Sequence, residues 1–375
     1  MHKKINSVLL CAGTAGELIK LYPILVRLEE QRAKWRFLFI GQSPVNFWKQ
    51  WEDFGLPSKK VITLLKTKQD LKTSGQAFYW FIRAIITPVG NIRNILNKEL
   101  GSTDMTEFAV LVHGDTLSTL LGAVLAKRLH VGFIGHVEAG LRSDMLFKPF
   151  PEEITRRMVS RIANNHFTQD KLAYNNLTRS KVKGEIVTTE INTLYDALND
   201  VEKNFPDAVI PQKPYVVANL HRFENLNSKT RWLAMVDTLC EAAKLYSVYF
   251  VQHPPAAQKL ETDADAKRRL IDSGVILLPR QPFTTFIRMI QGSLFVISDG
   301  GSNQEECAYL GKPCLILRDN TERIEGLDGG SCLLTKFDKN LIEKFLHAPD
   351  IYVRAPVNIQ ESPSKLIVDH IFRLR

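Results

Sequence analysis

The stretch FAVLVHGDTLSTLLGAVLAKRL, residues 108–129, decides the fold. An unbroken apolar run from Phe108 stops at Gly114-Asp115, and a helical stretch follows directly. A strand apolar at every position has both faces covered, the condition of a parallel sheet packed between helices. The same grammar runs outward. Upstream, INSVLLCAGTAGELIKLYPILVRLEEQ reads as strand, glycine-containing loop and helix, with Leu18, Ile19, Tyr22, Ile24 and Leu25 recurring at helical spacing. WRFLFIGQ is a second strand with its turn, and VGFIGHVEAG follows downstream. The pattern restarts with KPYVVANLHR, YSVYFVQHP, GVILLP, SLFVISDGG and PCLILRD, each a short apolar run ending in a polar or glycine loop. We therefore expect an α/β protein of two Rossmann-like, doubly wound domains, residues 1–185 and 186–359. Ligands of such sheets lie outside the carboxyl ends of the strands. The polar residues at those ends are Asp115, Glu138, His221, His253, Asp299 and Arg318.

Composition narrows the partners. With 375 residues, 45% hydrophobic and 24% charged, the chain can fill two cores. Its formal net charge of +9 favours an anionic ligand. No dense Lys/Arg run and no basic stripe interleaved with aromatics points to nucleic acid. The five cysteines, at 11, 240, 307, 314 and 332, form no C-x-x-C pair and no zinc spacing. That scatter suits a reducing cytoplasm, the expected location. The N-terminal apolar run is read as a buried strand rather than a signal peptide, and no stretch approaches the roughly 20 apolar residues that span a bilayer.

Several segments carry chemistry, and each has an ordinary structural reading beside it. In FVISDGGSNQEECAYLGKP a strand precedes Ser298-Asp299-Gly300-Gly301-Ser302, with a helix expected from about Asn303. Free N–H groups at a helix start bind phosphate, and glycines let the anion approach. Glu305 or Glu306, expected in the first turn, could reach ribose hydroxyls, or simply favour the helix dipole. AGTAGELIK is the matching loop of the first half, where Gly13 and Gly16 permit close approach, although it is neither a P-loop nor G-x-G-x-x-G. His221-Arg222 after a strand offers an acid–base group and a phosphate grip, or a structural strand end. RDNTERIEG packs Arg318, Thr321 and Glu322 into one loop, either a self-paired turn or a clamp for phosphate and sugar hydroxyls. GQAFYWFIRAIITPVGNIRNILNKEL reads as one or two helices broken near Pro88, with a membrane-surface face as the sharper reading.

Taken together, VHGDT, GHVEAGLRS, FPEEITRR, NLHRFEN, SDGGSNQEECAYLGKP and LRDNTERIE come in one order over nearly the whole chain. This resembles the UDP-N-acetylglucosamine 2-epimerase family. The resemblance implies a GT-B-like arrangement, with a UDP-sugar in a central cleft and a C-terminal helix, 360–375, returning to the first domain. It implies Asp115, Glu138, Glu152 and His221 as the acid–base set. It also implies Gly13, Glu17, Lys20, Arg142, Arg222, Asp299, Gly300, Gly301, Ser302, Glu306, Arg318, Thr321 and Glu322 around the UDP-sugar. Neither metal nor other cofactor is implied, and a homodimer is. The family's chemistry inverts C2 of a UDP-N-acetylhexosamine by expelling UDP through a 2-acetamidoglucal, and would supply cell-surface polysaccharide precursors. UDP re-adds in the non-hydrolysing branch favoured here, and water adds in the hydrolysing one.

The sequence departs from the family pattern at three loops, one of them Gly41-Gln42-Ser43, where the non-hydrolysing branch often reads G-Q-H. The first reads Gly13-Thr14-Ala15-Gly16-Glu17 where relatives read G-T-R-P-E, and the serine of D-S-G-G stands two places later, at Ser302. A second reading stays open on these residues: a GT-B glycosyltransferase that uses a UDP-sugar donor on a membrane-associated acceptor, with residues 78–98 as peripheral membrane contact.

Overall fold

The structure, a computed structural model, describes residues 4–71, 74–101, 104–143, 151–206, 209–212, 214–321 and 323–373. Two compact units divide the chain: residues 1–197 with 360–375, and residues 198–359.

The first unit is built in the order β1 (Ser7–Ala12), α1 (Ala15–Glu30), β2 (Lys34–Phe39), α2 (Pro44–Asp53), β3 (Val61–Thr63), α3 (Ser74–Ile86), α4 (Val89–Leu100) and β4 (Phe108–His113). It continues with α5 (Leu117–Arg128), β5 (Phe133–Val137), α6 (Glu152–Ile162), β6 (Asn165–Thr168), α7 (Lys171–Arg179) and β7 (Glu185–Thr188). Helix α8 (Leu194–Asn204) carries the chain across the division. The strands form one seven-stranded parallel sheet, ordered β3-β2-β1-β4-β5-β6-β7. Strands β1, β4 and β5 are buried along their whole length, as continuous apolar runs in a doubly covered sheet should be. Strands β6 and β7 carry Asn165, His166 and Glu185 and lack that signature. The segment at residue 185 is thus the edge strand of this sheet, and the unit runs on to Ala197.

Helix starts are set by capping. Thr14 caps α1, and Glu17 returns the bond to the cap backbone, a capping box; Thr116 and Thr119 do the same for α5. The aromatic segment forms two helices broken at Pro88, as expected. Trp80 and Ala84 turn into the core, while Phe78, Tyr79 and Ile86 are exposed.

The second unit follows as β8 (Val216–Asn219), α9 (Phe223–Asn227), α10 (Lys229–Leu245), β9 (Val248–Gln252), α11 (Pro254–Thr262), α12 (Ala264–Asp272) and β10 (Ile276–Pro279). Then come α13 (Phe283–Gly292), β11 (Val296–Ser298), α14 (Gly301–Tyr309), β12 (Cys314–Ile316), β13 (Cys332–Leu334) and α15 (Lys339–His347). Its six-stranded parallel sheet runs β10-β9-β8-β11-β12-β13. Both sheets therefore reverse their winding direction beside the first strand of the unit, at β1/β4 and at β8/β11. Among the described residues no helix is long and apolar enough to cross a membrane.

The last helix, α16 (Pro363–Arg373), belongs to the first unit. Ile367, Val368 and Ile371 are fully buried, the Ser364 N–H donates to Asp196 Oδ2 at 2.7 Å, and Gln31 Nε2 donates to Asp369 Oδ1 at 3.0 Å. Removing a buried isoleucine side chain leaves a cavity as well as lost burial, together about 2–5 kcal/mol. Ile371→Ala should lower the unfolding free energy by about that amount in urea titration, with the secondary-structure signal of the native state unchanged.

Candidate functional site

In the first unit the candidate residues gather at the carboxyl ends of β1, β4 and β5. Gly13 follows β1, and its N–H donates to Glu17 Oε2 at 3.0 Å. Glu17 is buried; it also accepts from the Thr14 N–H at 2.9 Å and from the hydroxyls of Ser118 and Thr116, each at 2.8 Å. Burial pushes its pKa up, and the donors from Gly13, Ser118, Thr116 and Thr14 pull it back. This carboxylate is occupied by the protein itself, so its part is to join the β1 loop to the start of α5.

Asp115 follows β4 through Gly114, whose φ of +71° is the left-handed conformation open to glycine. Arg156 of α6 grips Asp115 Oδ2 with Nε at 2.8 Å and Nη2 at 2.6 Å. Glu138 lies just past β5 at φ +60°, a conformation that disfavours a side chain by about 1–2 kcal/mol. Its carboxylate is 7% exposed and is held between Lys20 Nζ at 2.9 Å and His113 Nε2 at 3.2 Å. The lysine offsets the cost of placing a carboxylate among valine, alanine and glycine.

The paired glutamates at the start of α6 divide their work. Glu153 is fully buried and accepts from the Ser143 N–H at 3.0 Å and from Arg157 Nε at 2.7 Å, with Arg156 Nη1 at 3.5 Å. Glu152 Oε2 is buried and has no hydrogen-bond partner among the described residues. A buried carboxylate oxygen without a donor is costly, and such groups mark sites where a ligand or proton completes the set.

In the second unit His221 and Arg222 follow β8, and their backbone N–H groups donate to Asp299 Oδ1 and Oδ2 at 2.9 and 3.0 Å. Asn225 Nδ2 adds a bond to Asp299 Oδ2 at 3.0 Å. Asp299 is fully buried, so this carboxylate shapes the His-Arg turn. The His221 ring stacks on His253, with centroids 4.6 Å apart. Burial foremost lowers the His221 pKa; Asp299 opposes this, and Arg222 and Arg280 add to it. Burial, His221 and Arg280 push His253 down to about 3. Both rings are therefore neutral near pH 7. Gly300 must be a glycine, because a Cβ there would stand 2.9 Å from His221 Cε1.

Helix α14 begins at Gly301, not near Asn303, with Gly300 as an N-cap that supplies no side-chain bond. The earlier start leaves its first N–H groups uncapped by any side chain and places Gly301 and exposed Ser302 at the end of the helix dipole. It also moves Glu305 and Glu306 beyond the first turn. Glu305 is buried against Arg323 Nη1 at 2.9 Å and the Tyr309 hydroxyl at 3.1 Å, and Glu306 accepts from Asn303 Nδ2 at 2.9 Å. Arg318 Nη1 lies 3.4 Å from Thr321 Oγ1, which donates to Gln304 Oε1 at 2.9 Å. Glu322 lies outside the described residues. Arg142 is not gathered with Asp115 and Glu138: it donates to Leu141 O at 2.7 Å and to Ser160 Oγ at 3.1 Å.

Sequence reading missed His113, Arg156, Asn225 and Gln304. His113 directly precedes the Gly-Asp turn, and Arg156 stands one helical turn beyond Glu152, the spacing that brings it back over the start of α6. Gln304 binds the carbonyls of Arg323 and Glu325 at 3.2 and 2.9 Å, contacts without a local sequence signal.

Two doubly wound units, each with polar residues at its switch point, define a nucleotide-type enzyme of the GT-B-like class. A profile of UDP-N-acetylglucosamine 2-epimerases matches residues 98–351. The chain belongs to the UDP-N-acetylglucosamine 2-epimerase family. It is 35% identical to the UDP-N-acetylglucosamine 2-epimerase of Bacillus subtilis over 263 residues, 66% of this chain and 67% of that one. The Methanocaldococcus jannaschii enzyme of the same name is 28% identical over 359 residues, 92% of each chain. Its solved structure superposes with a TM-score of 0.73 at 27% identity, covering 97% of this chain and 98% of that one. The same archaeal enzyme in complex with UDP-GlcNAc and UDP gives a TM-score of 0.67 at 26% identity over 97% and 98% of the two chains.

One histidine fixes the Gly114 turn and couples its folding to pH. His136 of β5 is fully buried, with Nε2 donating to the Gly114 carbonyl at 2.7 Å. Burial above all pushes its pKa down to about 3. The unfolded chain takes up this proton near pH 6.5 and the folded chain does not. Its contribution is therefore complete above pH 6.5 and is lost as pH falls, by about 1.4 kcal/mol per pH unit between 6.5 and 3. Urea unfolding at pH 7.5 and 5.0 should show this loss, and His136→Gln, which keeps a donor but does not titrate, should reduce the difference.

Proposed function

We propose that this protein is a UDP-GlcNAc 2-epimerase of the non-hydrolysing type, which interconverts UDP-GlcNAc and UDP-ManNAc. The observation that carries the reading is the set of carboxylates that follow β4 and β5 and open α6. Asp115 is tied to Arg156, Glu138 to Lys20, and of the three Glu152 keeps a buried oxygen without a donor among the described residues. The relative crystallised with UDP-GlcNAc and UDP supports the substrate.

The C2 proton of an N-acetylhexosamine is not acidic, because no carbonyl adjoins that carbon in the ring. Inversion becomes feasible when C2–H and C1–O break together. The C–H electrons form the C1–C2 double bond, the C1–O pair leaves with UDP, and the proton passes to a carboxylate. Glu152 is the group free to take it. Return of a proton to the opposite face of C2 and re-addition of the diphosphate at C1 complete the inversion. A second acid–base group must serve that face. Glu138, whose charge is balanced by Lys20 and which lies beside His113, is assigned this role, and Asp115 is held by Arg156 to orient the sugar.

The second unit offers a diphosphate site of its own. The uncapped N-terminus of α14, at Gly301 and Ser302, and the Arg222 guanidinium favour negative charge on the leaving group. Neutral His221, against Gly300 at that same helix start, can pass a proton to or from the phosphate oxygen. Asp299, Asn225 and Gln304 hold these groups in place. Arg318, Thr321 and Glu322 are assigned to the nucleotide, and Gly13, Lys20 and Glu17 to the site of the first unit, Glu17 through the loop it organises.

Proton NMR of the protein with UDP-GlcNAc in D2O tests the reading. Deuterium at C2 of recovered UDP-GlcNAc together with UDP-ManNAc is expected. Free ManNAc with UDP would reassign the outcome to hydrolysis, and bound UDP without exchange at C2 would overturn epimerisation. Glu152→Gln should lower kcat by about 10²–10⁴-fold with UDP affinity unchanged. Near-parental turnover would remove Glu152 from the acid–base role.

A further inference from the structure

The first unit contains a second concave surface that the carboxylate chemistry does not use. A cavity of about 460 Å³ is lined by five cationic side chains, Arg142, Arg157, Arg161, Lys181 and Lys183. Three segments build it: the stretch after β5 gives Arg142, the second half of α6 gives Arg157 and Arg161, and the turn between α7 and β7 gives the two lysines. No acidic residue lines it among the described residues. Asp115, Glu138, Lys20 and Glu152 are likewise absent from its described walls.

Cations near helix ends have an ordinary explanation, because they complement the macrodipole. Arg161 stands in the last turn of α6, and Lys181 follows the cap of α7. Each helix end supplies only about half a negative charge. Among the described residues the carboxylate bonded to the group is Glu153, which meets Arg157 at 2.7 Å. Together these leave about three positive charges uncompensated. Like charges converging on one concave surface repel, and the walls reduce solvent screening. Arg142 makes the point most sharply: its guanidinium is partly buried and, among the described residues, bonds neutral oxygens, Leu141 O and Ser160 Oγ. Burial foremost, with Arg157 and Arg156, disfavours its charged form, and Glu153 only partly offsets this.

We propose that this cavity is a binding site for a phosphate-bearing anion, separate from the site of sugar chemistry. Three arginines present planar forks that match phosphate oxygens, two lysines add point charge, and the uncompensated charge is enough to neutralise a phosphomonoester, about −1.5 to −2 near pH 7, with positive charge left for a second phosphoryl group. The volume falls within the range of small-molecule sites, about 300–1,000 Å³. The same chemistry would hold a free diphosphate or a phosphomonoester lipid headgroup. The inference does not rest on the epimerase reading.

Inorganic diphosphate, titrated calorimetrically into the full chain, is the probe. The double variant Arg161→Gln/Lys183→Gln removes two charges from residues with no part in the proposed turnover. We expect its diphosphate affinity to fall about tenfold or more, with turnover of UDP-GlcNAc without added diphosphate and the melting temperature unchanged. The charge-keeping variant Arg161→Lys/Lys183→Arg should retain most of the binding. Co-sedimentation with phosphatidylcholine vesicles, with and without phosphatidic acid, identifies the source. Diphosphate binding without sedimentation assigns a free anion, and variant-sensitive sedimentation only with phosphatidic acid assigns a headgroup. Equal diphosphate affinity in parent and double variant without variant-sensitive sedimentation, or no capture of either probe, overturns the proposal.

Discussion

Each unit depends on one carboxylate buried where its sheet reverses direction. In the first, Glu17 collects the N–H groups of the β1 loop and the hydroxyls at the start of α5. In the second, Asp299 collects the N–H groups of His221 and Arg222 and the amide of Asn225. Removing an ionised carboxylate from water costs several kcal/mol and is tolerable only when hydrogen bonds replace the lost hydration. The loops that would carry ligands are the groups that supply those bonds. Loop conformation and buried charge are thus one problem with one solution, used in both halves.

On that frame the remaining charges are graded by partner. Asp115 has a two-pronged arginine, Glu138 has a lysine and a histidine, and Glu153 has two arginines and a backbone donor. Among the described residues Glu152 has none for its buried oxygen. A buried carboxylate oxygen in that state favours uptake of a proton or of a donor from a ligand. The histidines follow a similar logic from the other side: burial keeps His136, His221 and His253 neutral, and neutral imidazoles can donate and accept where charged ones only donate.

The strands buried on both faces were legible because continuous apolar runs such as FAVLV admit few other readings. Strands β6 and β7 were not, because NHFT and EIVT are short and carry polar residues that tertiary contacts satisfy: His166 Nε2 meets Lys183 O at 3.0 Å, and His370 of α16 reaches Asn165. The start of α14 was misplaced by two residues because Gly-Gly looks like loop, whereas here Gly300 is the cap and Gly301 the first helical residue. Residues that bear chemistry stood out by type and position after strands. Which of them touch one another did not, and Arg142, drawn toward Ser160, is the case where adjacency in sequence misleads.

Helix α16 has a consequence for biosynthesis. The first unit is discontinuous: its final element is encoded after the whole second unit, and three of its side chains are fully buried against residues that leave the ribosome hundreds of positions earlier. The second unit is contiguous and can close on itself during translation. The first must wait, with part of its apolar surface uncovered, until α16 has been translated and has left the ribosome tunnel. Release of α16, rather than passage of the domain boundary, is then the event that completes the half holding Glu138 and Glu152.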